Sequence, residues 1–379
     1  MRNCGLEWTP DAGLTLDGEK GDKPSDLVMF FGPRPLLENA AAFDALRKAF
    51  PSAILVGCST GGQIVGSEVE DDRICGMALG FSDTRLKLAR ATRADYGCSR
   101  AIGDALAADL AGEDLAGVFV LADALAFDGA ALVSGLTERI GDKIPVTGGL
   151  AGDDNAFSRT LVAADAQAEA GVACAIGFYG KSVRIGHGVA SGWSAFGPRR
   201  RITRAVKNVV YELDGKPALD LYEHYLGEEA DSLPASGLLF PLRICDPKNP
   251  DRNKVRALLA IDREARSITF AAAMPEGWTA QLMRGSLDRL TDVAGEAGAQ
   301  ARQSVEGDAA AILVSCIGRR LLMGQRVRDE VEAVRNALGA SMRAVGFYSY
   351  GEIAPLAASG FSELHNQTMT VMTISEKAA

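Results

Sequence analysis

Two distant stretches of this chain follow one plan, and a repeated plan restricts a protein to folds assembled from copies of the same unit. The first runs from Leu27-Val28-Met29-Phe30-Phe31-Gly32-Pro33-Arg34, through Glu38 to Phe50, into Ala53-Ile54-Leu55-Val56-Gly57-Cys58-Ser59-Thr60-Gly61-Gly62-Gln63-Ile64. The second runs from Ala311-Ile312-Leu313-Val314-Ser315-Cys316-Ile317-Gly318-Arg319, through Arg328 to Leu338, into Ala344-Val345-Gly346-Phe347-Tyr348-Ser349-Tyr350-Gly351-Glu352-Ile353. Each is an apolar run, a turn with glycine and arginine, a linking segment, then V-G-x-x-x-x-G-[QE]-I. The linkers have helical period: Phe43, Leu46 and Phe50 in one, Val327, Val331, Val334 and Leu338 in the other, so each offers one apolar stripe to a sheet. A weaker third copy passes through Val118–Leu121, a helix with Leu132, Leu136 and Ile140 on one face, and Pro145–Gly149. Strand, helix, strand is the β-α-β unit.

Between these units lie stretches of strand character at 74–81, 171–179, 183–189, 257–261, 267–273 and 368–374. They follow one another without intervening helical patterns, which predicts antiparallel strands added to the units. The expected fold class is α/β: two pseudo-related domains built from β-α-β units with added antiparallel strands. Residues 1–24 read as an N-terminal tail, 25–222 as a first domain and 223–379 as a second. The boundary is placed in Tyr222–Leu233, where polar residues and Gly227 interrupt the apolar pattern ahead of Pro234.

Composition narrows the function classes. A net charge of −9 opposes binding to nucleic acid, and the dense basic stretch Arg199-Arg200-Arg201 with Arg204 and Lys207 reads as a solvated edge. The seven cysteines form no C-x-x-C pair and sit largely in apolar runs, the pattern of a reducing compartment. The start Met1–Gly5 is not followed by an apolar signal region, and the longest apolar stretch, 115–133, carries Asp123 and Asp128. The expectation is a cytoplasmic protein without membrane insertion.

Chemistry-bearing residues gather at the ends of the repeats. Ser59, Thr60 and Gln63 in one copy, and Ser349, Tyr350, Gly351 and Glu352 in the other, surround glycines with neutral hydrogen-bonding groups and one carboxylate. That inventory suits an amine or amide ligand; it also suits tight turns capped by their own side chains. Arg319 is able to hold a ligand carboxylate while Glu352 holds its ammonium, or the two form an internal ion pair. His365 and Asn366 precede the last strand, as ligand contacts or as turn residues. With three histidines in the chain no Ser–His–acid set stands out, so the expectation is a protein without catalysis; the enzyme alternative uses Glu352 and His365 as an acid–base pair on an amine or amide. A pure scaffold would engage these side chains only with one another. Asp153-Asp154 is too few ligands for a hard cation. In Val183–Val189, His187 shares a face with Val183, Ile185 and Val189 and stands between two glycines, as a core histidine or as an axial haem ligand with room beside it.

The ordered motifs resemble the FIST family of sensory proteins. Gly57–Ile64 is similar to its G-C-S-T-x-G-E-I motif, with Gln63 in place of Glu, and Gly148–Asp153 and Gly192-Trp193 with Gly197 are similar to later landmarks. Ser315–Arg319, Gly346–Ile353 and His365-Asn366-Gln367-Thr368 resemble its three C-terminal signatures. The resemblance implies an intracellular sensor of a small molecule, amino-acid-like or related, signalling through a separate protein such as a histidine kinase or a cyclic-dinucleotide enzyme. It also implies, as an alternative, the family's haem b-containing nitric-oxide sensors that regulate histidine kinases.

Overall fold

The computed structural model describes residues 1–18, 24–356 and 360–377. The expected helical periods form helices Ala40–Ala49, Gly129–Ile140 and Val327–Leu338, each with its apolar stripe buried. Each helix joins two parallel strands: Leu27–Gly32 to Ile54–Ser59, Leu115–Ala122 to Val146–Leu150, and Ala309–Cys316 to Arg343–Ser349. A return strand then lies antiparallel to the first strand of each pair: Ile74–Gly80, Val172–Tyr179 and Met369–Glu376. The mixed α/β class is as expected, and the third copy, weak in sequence, is the structural equal of the other two.

The three units are interlocked. After its second parallel strand each unit sends a strand to the sheet of another: Gln63–Val65 pairs with Arg343–Ser349, Gly351–Pro355 with Val146–Leu150, and Val162–Ala164 with Ile54–Ser59. Five consecutive strands, from the exchanged strand to the one beyond the return strand, therefore follow the same order in each sheet, and the expected halves exchange strands. The crossing points close a ring of three backbone bonds: Gly61 N–H to Tyr348 O at 2.8 Å, Gly152 N–H to Ser59 O at 2.8 Å, and Tyr350 N–H to Leu150 O at 3.3 Å. Gly57, Gly148 and Gly346 are equivalent. A Cβ there would fall 2.2, 2.0 and 2.0 Å from the carbonyl oxygens of Phe30, Val120 and Leu313 on the parallel neighbour, so only glycine permits that approach.

The inner faces of the three sheets share one core in which Met29, Phe31, Phe119, Ile176, Val314 and Phe347 meet, with Phe31 and Phe347 stacked at 4.6 Å. Helices cover the outer faces. The expected N-terminal tail is corrected: Arg2–Thr9 and Gly13–Asp17 are strands of the first sheet, because Cys4, Leu6 and Trp8 alternate onto the face covered by helix Ala40–Ala49 and are buried there.

A further layer, residues 194–284, is inserted between Val183–Ala190 and helix Leu287–Arg302. Its strands enclose helix Ala218–Leu226, whose Leu219 and Tyr222 pack on Ile202, Ile244 and Ala280. The boundary expected at Tyr222–Leu233 falls inside this layer. Among the described residues, no helix is long and apolar enough to cross a membrane.

Candidate functional site

The N-terminal motif lies at its crossing point with every polar group engaged by protein. Ser59 Oγ accepts from Leu161 N–H at 2.8 Å. Thr60 and Gln63 bond to each other, and the Gln63 amide, turned with its NH2 outward, reaches Glu70 O at 2.8 Å and Arg73 O at 3.2 Å. Arg320 of the third unit clamps the same loop through Gly61 O and Asp71. These three candidates hold the exchanged strand in place.

Arg319 does not pair with Glu352, which corrects the expected bracket. Its fully buried guanidinium meets Glu330 at 2.8 Å and donates to Ser191 O at 3.0 Å and Leu290 O at 2.9 Å. Glu330 also accepts from Ser315 Oγ at 3.1 Å and Tyr348 OH at 2.9 Å. The sequence carries a signal for this partner. Glu330 stands three residues after Val327 and four before Val334, inside the apolar stripe, where a carboxylate is tolerated only beside a buried cation.

Glu352 is fully buried and accepts from Ser349 Oγ at 3.0 Å, Thr368 N–H at 3.1 Å and Thr368 Oγ1 at 2.7 Å. Burial pushes its carboxyl up to about 7 against the opposing pull of those donors. Next to Thr368 is a residue that the ligand reasoning passed over. Gln367 is fully buried, with neither amide atom bonded among the described residues, while its carbonyl accepts the Trp193 indole N–H at 3.0 Å.

His365 is the cross-strand register partner of Glu352. They are not bonded as an acid–base pair: His365 Nε2 lies 3.0 Å from Ala354 O, and burial holds the imidazole down, to about 4. Asn366 Oδ1 accepts from Arg256 at 3.3 Å, tying the inserted layer to the core. Tyr350 faces outward; its hydroxyl donates to Asp153, accepts from Phe157 N–H at 3.2 Å, and its ring stacks on Phe157 at 4.4 Å. Gly351 packs against Leu150 and Leu364. Asp153 also accepts from Ser158 and Arg159, and no group of three metal-ligating side chains is found among the described residues.

The haem expectation depended on room beside His187. That room is filled: a Cβ at Gly186 would lie 2.1 Å from Ala301 O, and one at Gly188 2.0 Å from Ala297 O, so both glycines admit helix Leu287–Arg302. His187 lies on the opposite face, where its Nδ1 is buried without a bond among the described residues and burial lowers its pKa. One free imidazole nitrogen without the glycine-made space does not fit a porphyrin plane.

A cavity of about 420 Å³ opens where three parts of the fold meet: helix Gly129–Ile140, strand Asn249–Arg256 of the inserted layer, and Leu356 with Phe361, Ser362, Glu363 and Leu364 after the exchanged strand. Its apolar wall includes Val133, Leu356, Phe361 and Leu364, and its polar side includes Ser134, Thr137, Glu138 and Asn249. Lys254 and Glu363, 3.0 Å apart with side chains 12% and 13% exposed, also line it. Sequence reasoning missed Lys254 and Glu363 because neither belongs to a repeat.

A cavity at a junction of layers, as here, is a place where a small molecule would touch several elements at once. The FIST N domain matches residues 26–216 and the FIST C domain residues 218–355, and the chain belongs to the FIST family, which is associated with small-ligand sensing in signal transduction. The border between the two matches lies a few residues before the expected 222/223. No curated protein matches the chain.

Proposed function

We propose that this protein is a cytoplasmic sensor whose ligand, an amino acid or a close relative, occupies the 420 Å³ cavity, and that it signals through a separate protein such as a histidine kinase or a cyclic-dinucleotide enzyme. One observation carries the reading: a nearly buried pair of opposite charges, Lys254 and Glu363, beside an apolar wall. A zwitterion inserts between such a pair, its carboxylate accepting from Lys254 and its ammonium donating to Glu363, while its side chain lies on Val133, Leu364 and Phe361. Glu352 and His365 are register partners on the strand pair that carries Leu364, with Ser349 and Thr368 holding the Glu352 carboxyl. Because the walls come from a core helix, the exchanged segment and the inserted layer, occupancy changes how these parts hold together, which a partner is able to read. No catalytic step is assigned.

The test is calorimetric titration of the protein with the common amino acids, repeated for Lys254→Met. Loss of one charge-assisted hydrogen bond is worth about 1.5–3 kcal/mol, so Kd rises roughly 10- to 150-fold in the variant. Binding that survives Lys254→Met unchanged, or no binding by the wild type, refutes the assignment.

A further inference from the structure

The inserted layer has a second face that the sensor reading leaves unused. Strands Leu242–Asp246, Thr279–Arg284 and Ser194–Val206 lie side by side, and their register places residues in rows. Ile244, Ala280 and Arg200 share the covered face: Ile244 and Ala280 are buried, and Arg200 packs over Tyr225. The alternate rows, Arg243–Gln281–Arg199 and Cys245–Thr279–Arg201, stand on the opposite face. There Arg199 and Arg201 are exposed, and Arg243 is half-buried.

The stretch read in the sequence as a solvated edge is therefore split by the pleat into two unlike sets. On the covered side Arg200 is engaged with Asp214 and Tyr225. On the open side neither the Arg199 nor the Arg201 side chain has an ion pair or hydrogen bond among the described residues. Arg243 is held in place: it donates to Gln281 Oε1 at 2.6 Å, and Gln281 donates in turn to Gly197 O at 2.8 Å. No acidic residue stands in the two rows.

We propose that this open face docks an extended acidic segment of a partner protein. The identification of the partner as a signalling protein rests on the sensor reading; the docking chemistry does not. Arg199 and Arg201 are two residues apart on one strand, about 7 Å, the spacing of alternate side chains in an extended peptide, so an acid-x-acid segment presents one carboxylate to each. Arg243, two strands away at about 10 Å, meets a third carboxylate on the segment's neighbouring chain or turn. Phe196, 40% exposed on the same strand, offers an apolar contact at one end. Three guanidiniums suffice for a short acidic peptide but fall below the roughly 6–10 phosphate contacts of duplex binders, and the rows carry no aromatic ring on which bases stack. With a net charge of −9 the attraction is local, and screening by salt weakens it.

The experiment follows fluorescence anisotropy of a labelled peptide alternating Glu and Ser, added to the ligand-free protein at low ionic strength. A peptide alternating Lys and Ser and an oligothymidylate are run beside it. Saturable binding of the Glu peptide alone is expected, weakened roughly tenfold or more by Arg199→Glu with Arg201→Glu, and weakened also by the milder Arg243→Gln. Circular dichroism melts of both variants confirm folding. Failure of the Glu peptide to bind, binding unchanged in both variants, or tighter binding of oligothymidylate overturns the proposal. Because no small ligand is present, a negative result here leaves the Lys254 titration standing as a separate test.

Discussion

Glu330→Gln is the perturbation that most directly examines the reasoning about the C-terminal signature. In the native protein the Glu330 carboxylate neutralises a guanidinium with no solvent exposure, and its other oxygen accepts from Ser315 and Tyr348. Glutamine keeps the volume and part of the bonding but leaves Arg319 charged and unpaired. Removing one partner of a buried ion pair destabilises by about 3–5 kcal/mol. At about 2.1 cal/mol/K of unfolding entropy per residue, the chain's 379 residues correspond to about 0.8 kcal/mol/K, so Tm falls by about 4–6 °C. Differential scanning calorimetry of the ligand-free protein at neutral pH reads this directly, with calorimetric and van't Hoff enthalpies compared to check for a single transition. If Arg319 instead belonged with Glu352, the large loss would follow Glu352→Gln and Glu330→Gln would melt with the wild type. That pattern would refute the assignment of Glu330 as the partner.

Glu352→Gln should act through pH. The folded carboxyl sits near 7 and the ordinary value is 4.5, so between them the folded chain holds a proton that the unfolded chain has released. Stability therefore falls as pH rises through that window, by roughly 3 kcal/mol in all, and the variant should lack this slope; parallel pH–stability curves for the two proteins would exclude it. Gly346→Ala forces a methyl to 2.0 Å from Leu313 O and should cost about 1–3 kcal/mol, whereas Gly97→Ala, with nothing within 4 Å, should melt with the wild type; equal melting of all three would dismiss the close-approach argument. Expression with haem precursor should give protein without a Soret band, and a stoichiometric band abolished by His187→Ala would reverse the fit drawn from Gly186 and Gly188.

What the chain declares by itself is local and periodic. The stripes Phe43–Leu46–Phe50 and Val327–Val331–Val334–Leu338 marked two of the three helices because burying one face of a helix needs only neighbours three and four residues away. Gly57 and Gly346 were legible as equivalent positions, since a backbone approach that excludes Cβ repeats wherever the unit repeats. The ordered signatures also sufficed for the family. Three things needed the tertiary structure. The exchange of Gln63–Val65, Val162–Ala164 and Gly351–Pro355 among sheets joins residues far apart in the chain, Gln63 with Phe347, and no period within a short window encodes such a pairing. The partner of Arg319 was decided by which carboxylate shares its buried space, and Glu330 on the covering helix takes it while Glu352 turns to Thr368. The cavity at Lys254 and Glu363 exists because an inserted layer lands on a helix of the second unit, so its walls come from segments that share no motif and meet only after folding.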